Sequence, residues 1–150
     1  MPLIKDSRIL IVATNGFEEW ELFGPKQIVE RRGAEVQLAS LTLDPIQATV
    51  HDDPGKTIRP NLTIGQVNPD DFDALILPGG VRNPDALRIH GNVIGLIRDF
   101  DRQGKPIAAI CHGPWLWSKP ICSGAVRLPA GLRSGRIFAM PARMWSMSLP

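Results

Sequence analysis

Residues Lys105 to Pro114 read Lys-Pro-Ile-Ala-Ala-Ile-Cys-His-Gly-Pro. The apolar run Ile107–Ile110 has the character of a short buried strand. It stops on Cys111 and turns at once through His112 and Gly113 toward Pro114, which suits the first turn of a helix. A strand that delivers a side chain to a sharp turn and a helix start has the build of a nucleophile elbow, with backbone N–H groups free behind the side chain. A helix N-terminus also favours a thiolate. The competing reading is an inert core cysteine beside a turn histidine; the strand-Cys-His-Gly-Pro context favours the reactive thiol.

A cysteine nucleophile needs its thiolate stabilised and its oxyanion bound. Gly79 and Gly80 carry no Cβ, so their N–H groups can approach a substrate oxygen closely and, with the N–H of His112, form an oxyanion hole. A tight turn after a strand is the plainer role for the pair. Glu18, Glu19 and Glu21 follow the first strand. Two of them read as ordinary acids of a first helical turn; the third could hydrogen-bond the cysteine sulfur or relay a proton. His112 adjoins the nucleophile, and neighbours at such a turn diverge, so it can act as a base only if its ring folds back.

These groups must be positioned by strands and helices. Arg8–Ala13 and Ala74–Leu77 are further apolar runs of buried-strand type, and Glu35–Ser40 (EVQLAS) reads as another strand. Glu18–Arg32 reads as a helix closed by Gly33, with Pro25 inside it. Asn92–Gln103 reads as an amphipathic helix and Asp85–Arg88 as a helical turn. Between Leu43 and Leu62 the pattern is less regular. Gln47–Val50 and Thr57–Arg59 suggest a hairpin projecting from the main sheet around His51-Asp52-Asp53-Pro54-Gly55. Those five residues read as a solvated turn rather than a metal site. Alternating strands and helices predict a parallel α/β sheet, in which ligands collect beyond the carboxyl ends of the strands. Gly16–Glu21, Pro78–Gly80 and Cys111–Pro114 all lie at such ends.

The 150 residues suit one core. Two cysteines, Cys111 and Cys122, give no disulfide framework, and no zinc spacing occurs. Neither a signal pattern nor a membrane-length apolar run is present, which leads to the expectation of a cytoplasmic protein. The net charge of +2 is uneven: residues 117–150 carry Lys119, Arg127, Arg133, Arg136 and Arg143 and no acid. No basic motif or aromatic platform accompanies these charges, so neither nucleic acid nor membrane is an expected partner.

Three segments together resemble the ThiJ/PfpI superfamily, with its class I glutamine amidotransferase-like, flavodoxin-like fold, and above all its PfpI branch of intracellular proteases and stress proteins. They are Asn15–Leu22 (NGFEEWEL), Asn68–Gly80 (NPDDFDALILPGG) and Gly104–Pro114 (GKPIAAICHGP). The resemblance covers residues 8–116. It implies Cys111 as nucleophile, His112 as its partner, Glu21 as the carboxyl that hydrogen-bonds the cysteine, and Gly79, Gly80 and Gly113 as the oxyanion and substrate-binding backbone. A further acid from a neighbouring subunit has its nearest match in Asp85, which is shorter and differently spaced. The resemblance implies peptidase, or glyoxalase and deglycase, action on a peptide or small-molecule substrate such as methylglyoxal adducts. It also implies no metal or organic cofactor, and dimers or hexamers.

At Trp117 the resemblance ends. Residues 117–150 hold four of the 14 Pro and three of the four Met, and sustain neither a helical nor a strand period. Read from the third codon base, plausible codons for this stretch can encode family-like sequence, which leads to the expectation of an out-of-frame tail. The chain is then divided into an incomplete domain, 1–116, and a poorly structured tail, 117–150, without the family's C-terminal strands and helix. An uncovered sheet side, low stability and weak thiol reactivity would follow. The alternative to a cysteine hydrolase is a non-enzymatic stress chaperone or redox sensor. A glutaminase subunit is disfavoured, since no His-x-Glu segment follows Cys111.

Overall fold

The computed structural model describes residues 3–116, 125–127 and 138–139. Five parallel strands run in the order β8-β7-β1-β3-β6: β1 Arg8–Val12, β3 Glu35–Ser40, β6 Leu62–Thr63, β7 Ala74–Leu77 and β8 Ile107–Ala109. The expected parallel α/β sheet is therefore present. Because the chain leaves β1 for β3 on one side and returns to β7 on the other, β1 and β7 mark the point where strand order reverses. A crevice opens beyond the strand ends at such a point.

Alternation along the strands builds a core on each face of the sheet. Leu10, Val12, Leu75, Leu77, Ile107 and Ala109 face one way, against Val93, Leu96, Ile97 and Phe100 of helix α3, Gly91–Arg102. Ile9, Ile11, Leu38 and Ile76 face the other, toward Leu22 of helix α1, Glu19–Arg31. Pro25 lies within α1 and leaves the Glu21 carbonyl without its helical N–H.

Three local expectations are refined. The hairpin is β4 Ile46–Val50 and β5 Asp53–Ile58, and it pairs with β2, Phe17–Glu18, in a separate three-stranded sheet rather than with the main one. Its turn is only His51-Asp52, with His51 at φ 59°. Pro54 is tolerated because β5 is an edge strand. Helix α2 spans Arg82–Leu87, three residues earlier than expected. Its N-cap, Val81, makes no side-chain capping bond. Strand β6 was not foreseen. Asn61 prolongs its ladder, accepting from the Leu38 N–H at 2.8 Å and donating its own N–H to the Leu38 carbonyl.

Beyond β8 the sheet continues. Strand β9, Ala125–Arg127, pairs antiparallel with β8, and β10, Phe138–Ala139, pairs antiparallel with β9. These short strands lie where no strand period is legible, and β9 covers the edge of β8 that the sequence reading leaves open. The remaining expectations for 117–150, including Cys122 and the absent C-terminal helix, fall outside the described residues. Phe100, on the buried face of α3, is fully buried. Phe100→Ala should lower unfolding free energy by about 3–5 kcal/mol, read from urea titration.

Candidate functional site

The three strand ends singled out in the sequence meet. Beyond β8 the chain leaves the sheet at Cys111, whose φ of 54° places it in the left-handed region. That conformation is uncommon for a residue with a side chain and is held only when the surroundings enforce it. Here the surroundings do enforce it. The Ile110 N–H donates to the Leu77 carbonyl at 3.1 Å, and the Gly113 N–H returns to the Ile110 carbonyl at 2.8 Å. A single 3₁₀ turn, Gly113–Leu116, follows. A Cβ on Gly113 would overlap the Leu77 carbonyl, so only glycine lets this turn sit on the sheet.

Gly79 makes the meeting possible. A Cβ there would stand 2.6 Å from Glu21 Oε2, 2.6 Å from the Ile110 carbonyl and 2.7 Å from Cys111 Cβ. Its N–H donates to Glu21 Oε2 at 2.8 Å. Gly80 follows at φ 76°, packed against the backbone of Gly16 and Glu18. The Glu21 carboxyl and the N–H groups of His112 and Gly80 all act on the Cys111 thiol, and the Gly80 N–H acts on Glu21 as well. Cys111 Sγ lies 3.1 Å from His112 Nδ1, so the imidazole does fold back. Its other flank packs edge-on against Trp115, with ring centroids 4.4 Å apart.

The other two acids have separate tasks. Glu18 accepts the His51 N–H at 3.2 Å, at the hairpin turn. Glu19 accepts the Lys56 N–H at 2.7 Å and pairs with Lys56 Nζ at 2.9 Å. Those contacts hold its carboxyl below the usual range, the backbone N–H of Lys56 contributing most. They read in sequence as simple helix-turn acids, but they fasten the hairpin to α1. Asp85 lies on α2 with Arg88, whose Nε and guanidinium both reach Oδ1 at 2.7 Å. The structure thus brings together Cys111, His112, Glu21, Gly79, Gly80 and Gly113, and pairs Asp85 with Arg88 instead. Asn83, fully buried, escaped the sequence reading. It accepts the Thr14 N–H at 2.7 Å and donates to the carbonyls of Pro78 at 2.9 Å and Gly79 at 3.1 Å. A buried amide within a Gly-Gly-x-x-Asn run was its only signal.

Burial pushes the Glu21 carboxyl up, opposed by the Gly79 N–H and the Cys111 thiol. Burial, then the Glu21 charge, push the Cys111 thiol up as well, against the N–H groups of His112 and Gly80. The expected helix-start effect on the thiol is outweighed. Burial thus favours the neutral form of both groups, and the Glu21 charge adds to this at the thiol. Among the described residues no group of three or more His, Cys, Asp or Glu could hold a metal ion, and no helix is long and apolar enough to cross a membrane.

The DJ-1/PfpI family model matches residues 7–124. Deglycase PfpI of Pyrococcus furiosus is 38% identical over 107 residues, covering 71% of this chain and 61% of its own length. Protein/nucleic acid deglycase 2 of Escherichia coli is 35% identical, covering 73% of this chain and 62% of that one. The chain therefore spans somewhat over half the length of these relatives. Among solved structures, Drosophila melanogaster DJ-1beta matches with a TM-score of 0.66 and 30% identity, over 73% of this chain and 57% of that one. Oxidized DJ-1 of Toxoplasma gondii matches with a TM-score of 0.64 and 26% identity, over 72% and 57%.

Two outcomes follow from this geometry. Glu21 contributes stability that is complete below the ordinary carboxyl value and lost as pH rises through its raised folded value. Relative to Glu21→Gln, the wild-type melting temperature should therefore fall as pH rises above the ordinary carboxyl range. A calorimetric pH series reads this directly. Gly79→Ala must displace backbone and should cost roughly 1–3 kcal/mol in urea unfolding.

Proposed function

Because the chain belongs to the DJ-1/PfpI family, we propose that it is a cysteine-dependent hydrolase of the PfpI type. Its substrates are carbonyl adducts of amines, such as methylglyoxal adducts, or peptide bonds. The observation that carries this reading is the left-handed Cys111, a nucleophile elbow whose sulfur is reached by a carboxyl, an imidazole and two N–H groups.

In this reading the thiol proton passes to His112 Nδ1, and sulfur adds to the substrate carbonyl carbon. The resulting oxyanion takes the N–H groups of Gly80 and His112, which already act on the thiol. With a peptide, the C–N bond at that carbon breaks and the amine leaves with the imidazolium proton; with a methylglyoxal adduct, sulfur instead replaces the amine at the carbinol carbon, and a proton shift from that carbon to the neighbouring carbonyl carbon gives the thioester of a hydroxy acid. Water then attacks the thioester carbon, releasing a carboxylic acid and restoring the thiol. Glu21 holds the sulfur in place and limits its charge at rest, so that the thiolate forms chiefly when substrate and His112 can take the proton. No cofactor is called for. Assembly into a homo-oligomer would let an acid from a second chain orient His112, and Asp85 is the candidate on this chain.

Relatives named as deglycases support adduct cleavage ahead of peptide hydrolysis. Turnover of a methylglyoxal-modified cysteine or lysine derivative, followed by release of free amine or thiol, tests the reading. Cys111→Ala should reduce the rate by at least about 10³-fold with folding intact. Turnover that survives Cys111→Ala would end it.

A further inference from the structure

We infer that Asn83 is a positioning residue that sets the two glycine peptides of the site from behind. The inference rests on the hydrolase reading for its rate consequence, but its geometry stands alone. Gly79 and Gly80 are the least restrained residue type, and Gly80 adopts a positive φ of 76°. Nothing in their own side chains can fix the direction of their N–H groups.

Asn83 does so through the other end of each peptide. A trans peptide points its C=O and N–H to opposite sides. The Pro78 carbonyl and the Gly79 N–H belong to one peptide; the Gly79 carbonyl and the Gly80 N–H belong to the next. One Nδ2 group donates to both carbonyls, at 2.9 and 3.1 Å. The Gly79 N–H then donates to Glu21 Oε2 at 2.8 Å, and the Gly80 N–H acts on both the Glu21 carboxyl and the Cys111 thiol. The Asn83 carboxamide is itself held, because Oδ1 accepts the Thr14 N–H from the end of β1 at 2.7 Å. Asn83 is wholly buried, so no water competes for these bonds. Its side chain ties the end of β1 and the Gly-Gly turn to α2.

Asn83→Ala frees both carbonyls to rotate and leaves them buried without a partner. With the methylglyoxal adduct as substrate, kcat should fall about 10- to 100-fold with KM changed less than about threefold. The Gly79 and Gly80 amide resonances should shift and broaden. Leu96→Ala, on the buried face of α3, serves as the control for a loss of stability alone; its kcat and glycine resonances should stay near wild type. In the wild-type protein both Asn83 side-chain amide hydrogens should exchange slowly, a measurement that needs no variant. Fast exchange of that amide, or unmoved glycine resonances in Asn83→Ala, would overturn the inference. So would a kcat no lower than that of Leu96→Ala in a protein whose turnover depends on Cys111. If the wild type turns nothing over, the hydrolase reading fails, while the exchange and resonance results still decide the role of Asn83.

Discussion

The site depends on the absence of one carbon atom. A Cβ at Gly79 would fall within 2.7 Å of Glu21, Ile110 and Cys111 together. That vacancy lets β7, β8 and α1 converge tightly enough for a carboxyl, a thiol and a backbone N–H to share one small volume. Burial then acts on both acids at once. A carboxyl and a thiol withdrawn from water and placed in contact cannot both ionise cheaply. A reactive sulfur here is thus restrained by its neighbour, and released by whatever carries its proton away.

The sheet topology supplies the rest. Strand order reverses between β1 and β7, so the loops after them diverge and leave room beyond the strand ends. The β7 loop fills part of that room with its two glycines. The β8 loop fills another part with Cys111 in a backbone conformation that side chains rarely adopt. The strain is held by bonds to the neighbouring strand, notably Ile110 N–H to the Leu77 carbonyl. Packing on both faces of a parallel sheet makes that frame stiff enough to hold it.

Much of this was legible in the residues. Four of the five parallel strands were legible, β1, β7 and β8 as short continuous apolar runs. Cys111, Gly79 and Gly80 were legible through their places at strand ends, whereas Glu21 was told apart from Glu18 and Glu19 only by the family resemblance. Strand β6 was not, because two residues carry no periodicity. The hairpin's partnership with β2 was hidden, since pairing between Phe17 and Ala48 is written in no local pattern. Asn83 was hidden for a related reason. Only the folded chain shows that its amide donors are spent on carbonyls four and five residues back. The direction of the thiol's titration was misjudged because a helix start is visible in sequence, while burial against Glu21 is not.

The link from β1 to α1 has the look of a surface connection, the sort of place where chains commonly gain and lose residues over time. Here it carries a fixed ruler. The Thr14 N–H is taken by Asn83, Asn15 accepts the Gln47 N–H, the Gly16 N–H reaches the Gln47 carbonyl, and Glu18, Glu19 and Glu21 each have a separate distant partner. One inserted residue would turn the start of α1 by about 100°, sending every acid to its neighbour's address. Length variation among related chains should therefore avoid this connection, and a library of single-residue insertions should find it among the least forgiving loops in the molecule.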